Sequence, residues 1–494
     1  MKQQAEVKTI PLILYNSLGR KKMEFVPFDV EGGKVGIYTC GPTVYNYAHI
    51  GNLRTYVFED LLKRTLVYNG FTVNHVMNIT DVGHLTDDAD HGDDKMELRA
   101  QKEKETVWQI AEKYTKAFQS DIRELNILMP DIWCKATDHI AQQIAWIQKL
   151  EAQGITYRLE DGIYFDTAKF PRYAEFAQLD VENLKAGARV EMVAGKRNTT
   201  DFSLWKFSPK DQKRQMEWES PWGRGFPGWH IECSAMSIRY LGEQFDIHCG
   251  GIDHVRIHHT NEIAQVEAVT GKPWVKYWLH GEFLVVQDTK EAEKDPTAVK
   301  RMGKSEGNFL TLQVLKNNGY HPLAYRYLLY QAHYRKQLIF SEKAMDSAQK
   351  GFSNLRNKVA ALQQEAQKSP APKGKTKSDK LAEYRSLFLA AINDDLNAPE
   401  AMALIAKVLD DATLSPAQAI EILKDFDRVL GLDLIGGTIT KEIVAPEAVR
   451  KLAEERQQAR AQKNWKLADE LRTAMKQQGF DVLDTKEGPK IQKL

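Results

Sequence analysis

His258 and Glu262 stand four residues apart in the run Ile257-His258-His259-Thr260-Asn261-Glu262. On a helix that spacing turns an imidazole and a carboxylate to one side, where both can grip a single cation. A zinc site needs two more ligands, and thiolates suit this borderline-soft ion. Cys40, after the apolar run Val35 to Thr39, and Cys233, in Gly228-Trp229-His230-Ile231-Glu232-Cys233, are the available donors. Taken singly, such residues also make surface hydrogen bonds or small buried hydrophobes. The metal reading therefore requires three distant segments to meet. Only two further cysteines occur, Cys134 and Cys249, with no CxxC pairing, so a disulfide framework is not expected in a chain this large.

Two other segments carry phosphate chemistry. Ala48-His49-Ile50-Gly51-Asn52 opens an apolar-periodic stretch, and a helix N-terminus there offers N–H groups and the positive end of a dipole. Gly51 allows a nucleotide near the backbone, and His49 can donate a hydrogen bond to a phosphate oxygen in the transition state. Lys300-Arg301-Met302-Gly303-Lys304-Ser305-Glu306-Gly307-Asn308 is a basic loop with two glycines, in which Lys304 suits a polyphosphate leaving group. Alone, a four-letter match is more often chance and the basic loop more often a charged surface turn. A HIGH-like element followed roughly 250 residues later by a KMSKS-like loop is a far more specific pair.

These side chains need a scaffold. Val35 to Thr39 reads as a buried strand, Leu53 to Tyr68 as a helix stopped by Asn69-Gly70, and Thr72 to Ile79 as a second strand. This is a βαβ unit, which predicts a parallel sheet with ligands at the carboxyl ends of its strands. The expected fold class is α/β: a doubly wound, Rossmann-like catalytic core with an inserted domain, followed by an all-α C-terminal region. The Asp-rich stretch Thr86 to Asp94 has Asp93 and Arg99 where a calcium loop needs glycine and glutamate. It reads as a solvated loop before a helix near Val107 to Phe118. The sheet is expected to resume with Gly228 to Cys233 and with Phe245 to Ile247. After Phe309 the pattern is helical, broken by the Pro-, Gly-, Lys- and Ser-rich connector Lys368 to Ser378.

The 494 residues imply two to four domains. Boundaries are expected at 12–140 with 226–275 for the core, 141–225 for a connective insertion, 276–335 for a stem-contact region with the Lys304 loop, 336–435 for a helical bundle, and 436–494 for the last module. No apolar run approaches the ~18 residues of a membrane span, and Met1 to Lys8 is polar, so a cytoplasmic address is expected. Net charge is +1, which excludes a uniformly basic coat. From Val449 to Leu494, 11 Lys and Arg face 7 Asp and Glu, a mild surplus that also fits a solvated helix.

With these residues in view, the sequence resembles the class I aminoacyl-tRNA synthetases, and among them the cysteinyl-tRNA synthetase family, from about Leu12 to Ile491. Its landmarks are Tyr38-Thr39-Cys40-Gly41-Pro42-Thr43-Val44-Tyr45, the HIGN tetrapeptide, Asn78-Ile79-Thr80-Asp81, Lys196-Arg197 with Asp201-Phe202-Ser203-Leu204-Trp205-Lys206, Gly228 through Met236, His258 to Glu262, and the Lys304 loop. The resemblance implies that Cys40, Cys233, His258 and Glu262 bind one Zn2+ in the amino-acid pocket. It implies that Cys40, Thr80, Trp229 and His248 lie close to L-cysteine. It also implies that His49, Gly51 and Asn52 meet ATP, that Mg2+ accompanies the triphosphate, and that Lys304 faces the leaving pyrophosphate. His49 and Lys304 are the catalytic residues so implied, and tRNA(Cys) is the implied partner of a monomer.

Four departures stand out. Asn52 ends the HIGH element, Gly303 lacks the usual hydroxyl, Thr260 stands where the family often has glutamate, and Asp288 to Lys300 lengthens the approach to the loop. None touches Lys304 or the four proposed ligands. Four protein ligands usually mark a closed site, so a substrate sulfur joining the ion requires Glu262 to be loosely held or the coordination number to expand. At the helical end, Trp465, Ala468, Leu471 and Met475 form a stripe read as core, with Arg456, Arg460 and Lys463 on another face toward phosphates. The resemblance makes this end an anticodon-recognising module. An alternative is a cysteine ligase with an amino-sugar acceptor, whose relatives look truncated there.

Overall fold

The computed structural model describes residues 10–83, 94–179, 195–209, 213–287, 299–302, 309–368, 376–436, 447–462, 464–478, 480–485 and 488–493. Five parallel strands form the central sheet: β1 (Lys34–Thr39), β2 (Thr72–Ile79), β3 (Ile132–Lys135), β4 (Phe245–Gly251) and β5 (Val275–Gly281). Their spatial order is β5-β4-β1-β2-β3. The chain thus winds outward from β1 in one direction and returns to wind outward in the other. The crevice between the ends of β1 and β4 is the point where strand order reverses, the place where such sheets receive ligands.

Helix α1 (Ile50–Tyr68) connects β1 to β2, and Asn69 caps it before Gly70 turns at φ +92°. That matches the βαβ reading. The segment Gly228 to Cys233 does not: Trp229–Leu241 is helix α2, between the N-cap Gly228 and Gly242 at φ +88°. Every residue from His230 to Ser237 is buried, so the helix has no polar face and no 3.6-residue signature to read. Cys233 therefore sits in a helix, not near a strand end. Helix α3 (His258–Thr270) is likewise buried from His258 to Val266 and ends at Gly271, φ +67°. The strand expected at Phe245 to Ile247 runs on to Gly251.

Between β3 and α2 lies a four-stranded antiparallel sheet of Thr156–Leu159, Gly162–Phe165, Phe202–Phe207 and Gly225–Pro227. After β5, a three-stranded sheet leads into the helices Glu342–Lys368, Thr376–Asn393, Ala398–Asp410 and Pro416–Leu430. Two more helices, Glu447–Ala461 and Trp465–Gln477, close on a hairpin of Phe480–Thr485 with Gly488–Lys493. The C-terminal region is thus helical, with a terminal β-ribbon that the helical reading lacks. Arg456, expected at a phosphate-facing surface, is buried, while Trp465, expected in the core, is 57% exposed with the Arg460 guanidinium 5.5 Å over its ring. Lys463 and the Asp-rich residues before Asp94 lie outside the described residues.

Two polar tethers join core and bundle. Fully buried Arg326 donates to the Asp60 carboxylate of α1, to Leu125 O at 2.9 Å and to Leu430 O at 2.9 Å. Arg64 also pairs with Asp60 at 2.7 Å. At the other tether, buried Asp395 accepts from Tyr15 N and the Tyr334 hydroxyl, both at 2.8 Å, and from Arg335. Tyr15 belongs to the hairpin Ile13–Asn16/Lys21–Glu24, whose Asn16 and Ser17 bond the β5 backbone at Lys276 and Trp278. Breaking a buried pair strands its partner's charge. Replacing Arg326 with Met is expected to destabilise the fold by about 3–5 kcal/mol, read as a lowered melting temperature. An unchanged melting curve would show that Arg326 adds nothing.

Candidate active site and metal centre

Cys40 follows β1 directly, and its N–H donates to Cys249 O of β4 at 3.2 Å, which seats it in the crevice. Gly41 makes this turn possible. A Cβ there would collide with the Asn78 carbonyl oxygen, and its N–H donates to Asn78 Oδ1 at 2.7 Å. Cys233 comes from the second turn of α2, and His258 and Glu262 from successive turns of α3. The three segments meet. Ligand atoms of Cys40, Cys233, His258 and Glu262 all lie within 4.8 Å of one another, and all four residues are buried.

Among these buried groups, opposite charges decide the protonation states. Burial by itself would neutralise Glu262, but His258 and His248 outweigh it and hold the carboxyl well below its usual range. Burial likewise opposes an imidazolium at His258, yet Glu262 raises it to about 10. The Cys40 thiol is pushed up by burial and by Cys233, whereas Cys233 is lowered against its own burial by the Cys40 hydrogen bond and His258. Two soft donors, an imidazole and a carboxylate at this spacing fit a tetrahedral zinc ion. Glu262 Oε1 lies 2.7 Å from His258 Nε2 yet takes no hydrogen bond of acceptable geometry, as two ligands sharing one ion would be arranged.

A second donor set, Cys40, His248, His259 and Glu262, shares two members with the first. Its histidines do not line the cleft, whereas Cys40, Cys233 and His258 do. The first set is therefore the one a small molecule can reach. His248, expected beside the amino acid, lies behind Glu262 and holds its Oε2 at 2.8 Å. Behind Cys40 runs a chain of contacts: Cys40 Sγ to His259 Nε2 at 3.3 Å, His259 Nδ1 to His280 Nε2 at 2.8 Å, and His280 Nδ1 to Ser17 Oγ at 2.7 Å. The His258-His259 doublet was a signal for part of this chain. Nothing local marks His280 or Ser17.

The cleft is about 320 Å³, within the size range of small-molecule sites. Thr80 and Trp229 line it. Thr80 Oγ1 donates to buried Glu232 at 3.0 Å and accepts from Asn78 Nδ2 at 3.0 Å. The Trp229 ring lies 4.3 Å from that of His258. At the other end, His49 caps α1 reciprocally: its Nδ1 accepts from Asn52 N at 3.1 Å, and Asn52 Oδ1 accepts from His49 N at 3.2 Å. An accepting Nδ1 leaves the ring proton on Nε2, the donor that phosphate needs. Burial lowers the His49 pKa and so favours this neutral form. Gly51 serves the cap, since a Cβ there would press on the His49 ring at 3.0 Å. Lys304 lies outside the described residues, but Phe309 beyond it meets His49 edge-on at 5.6 Å, and Ile50 N donates to Leu310 O at 2.8 Å.

Residues 27–350 match the family model of tRNA synthetases class I (C) catalytic domain. The chain is 49% identical to Cysteine–tRNA ligase 1 of Burkholderia lata, covering 98% of this chain and 97% of that one. It is 47% identical to Cysteine–tRNA ligase of Treponema denticola, covering 96% and 98%. Among solved structures, the Agrobacterium radiobacter K84 LeuRS–tRNA–LeuAMS ternary complex is similar at TM-score 0.57 and 12% identity, covering 86% and 87%. The Mycobacterium tuberculosis methionyl-tRNA synthetase with methionyl-adenylate is similar at 0.51 and 14%, covering 85% and 94%. At such identities the likeness is one of fold.

The raised Cys40 and His258 pKa values mean that metal must displace a proton from each. Zinc uptake at pH 7 is expected to release protons and to weaken as pH falls. Calorimetry in buffers of different ionisation enthalpy measures this, and binding without proton release would refute the assigned protonation.

Proposed function

The chain belongs to the cysteine–tRNA ligase family of class I aminoacyl-tRNA synthetases, and from that premise we propose how its own residues divide the work. The enzyme activates L-cysteine with ATP to cysteinyl-adenylate and pyrophosphate, then transfers cysteine to the 3′ end of tRNA(Cys). The observation that carries this reading is the convergence of Cys40, Cys233, His258 and Glu262, the first three of which line a cleft that also opens on the His49 cap.

Zinc held by those four side chains would supply a Lewis acid that prefers sulfur to a hydroxyl oxygen. That preference matters because size alone separates close analogues by only ~1–3 kcal/mol. Thr80, tied to the Glu232 carboxylate, orients its oxygen toward the amino acid, and Trp229 covers the substrate beside His258. His248 acts through Glu262, keeping one carboxylate oxygen engaged. As the cysteine carboxylate attacks the α-phosphorus, His49 donates through Nε2 to the charge that develops there, and Asn52 fixes the ring. Lys304 follows the departing pyrophosphate, with Mg2+ on the triphosphate.

The domain division and the cytoplasmic, monomeric state belong to the same reading, and no described helix is long and apolar enough to cross a membrane. The terminal module, 436–494, meets the anticodon. Exposed Trp465 under Arg460 offers an aromatic face for an unpaired base. The amino-sugar alternative finds no support, because the tRNA ligases above match nearly the whole chain, helical end included.

Cysteine-dependent ATP–pyrophosphate exchange, followed by charging of purified tRNA, tests the function directly. Cys233→Ser is expected to lose zinc by mass spectrometry together with selection of cysteine over serine. Unchanged selection in a zinc-free variant would refute the role of the site. Deleting 449–494 is expected to spare exchange and cripple charging, and equal loss of both would count against an anticodon role.

A further inference from the structure

The loop from Cys40 to His49 carries one more exposed group. Tyr47 is 45% exposed at the mouth of the cleft. Tyr114 meets its ring at 4.8 Å and 87°, a perpendicular contact that orients the ring and leaves a broad face uncovered. Tyr114 is itself buried, and its hydroxyl is fixed by Arg99 and by Glu103 at 2.6 Å. The support is rigid. Beside it, Lys95 Nζ lies 5.9 Å over the Tyr45 ring, and both residues line the same rim. An aromatic face with a cation next to it matches a nucleotide, whose base stacks and whose phosphate pairs.

Two adenosines enter such an active site, one in ATP and one at the 3′ end of tRNA. Another wall of the cleft suits ATP. There Gly251 faces α1, its Cβ position 3.9 Å from Thr55 Oγ1, and Asp253 lies near enough to His49 to favour its proton. The phosphates thus belong between that wall and the first turn of α1. Tyr47 instead packs on Tyr114 of the helix Val107–Glu124. Resting on the functional reading above, we propose that Tyr47, braced by Tyr114 and flanked by Tyr45 and Lys95, seats the 3′-terminal adenosine of tRNA by stacking.

The test compares full-length wild type with Tyr47→Ala and Tyr47→Phe. Tyr47→Ala is expected to leave the KM for ATP in cysteine-dependent exchange within about twofold and to weaken transfer to tRNA about tenfold or more. Tyr47→Phe, which keeps the ring, should restore transfer. In binding assays, wild type should prefer intact tRNA over tRNA lacking the terminal adenosine, and Tyr47→Ala should lose that preference. A raised KM for ATP in Tyr47→Ala would assign the ring to ATP and overturn the proposal. So would unchanged transfer, or a retained preference for the terminal adenosine. Failure of the functional reading is distinguishable, because it would appear as absent cysteine-dependent exchange in wild type.

Discussion

Glu262 is fully buried, and its carboxylate is tolerable there because His258 and His248 close on its two oxygens. An unpaired carboxylate in such a place would lose its charge. This pairing fixes the start of α3 against the end of β4, since His248 belongs to the strand and the other two to the helix. Cys40 and Cys233 then have to face the same point from β1 and α2. A cluster of ionisable groups packed this tightly can satisfy itself with protons or with a metal, and it presents the same donors in either case.

The first half of the core was legible because its signals are local. Apolar strands, a helix stopped by Asn69-Gly70 and the HIGN turn each fit within a few residues of sequence. The pattern failed where burial is complete. Helix α2 is buried on every side from His230 to Ser237, so neither its helical period nor a polar face survives there, and Gly228 to Cys233 reads as a strand. The four proposed ligands were legible by residue type and spacing, with the resemblance supplying their convergence. The chain from His259 through His280 to Ser17 was not, because its members come from a helix, a distant strand and a loop. At the far end, a short stripe gave no hint that Trp465 turns outward and Arg456 inward.

The departure at Asn52 has a local rationale. Its side chain and backbone both engage His49, so asparagine completes a capping box that orders the ring and selects its tautomer. The cap is also coupled to the segment beyond Lys304, through Ile50 N to Leu310 O and the edge of Phe309. The helix N-terminus and the segment Phe309–Leu310 are thus one assembly.

The hairpin Ile13–Asn16/Lys21–Glu24 seals the open edge of β5 and is pinned by Asp395, 380 residues further along. Exposed sheet edges invite pairing with other chains. At roughly 5–20 residues per second, a ribosome needs on the order of six to twenty-three seconds to deliver Asp395 after it has completed β5 at Gly281. During that interval the seal lacks its anchor, so the nascent chain depends on chaperones or on the brevity of translation to keep the edge from finding another strand.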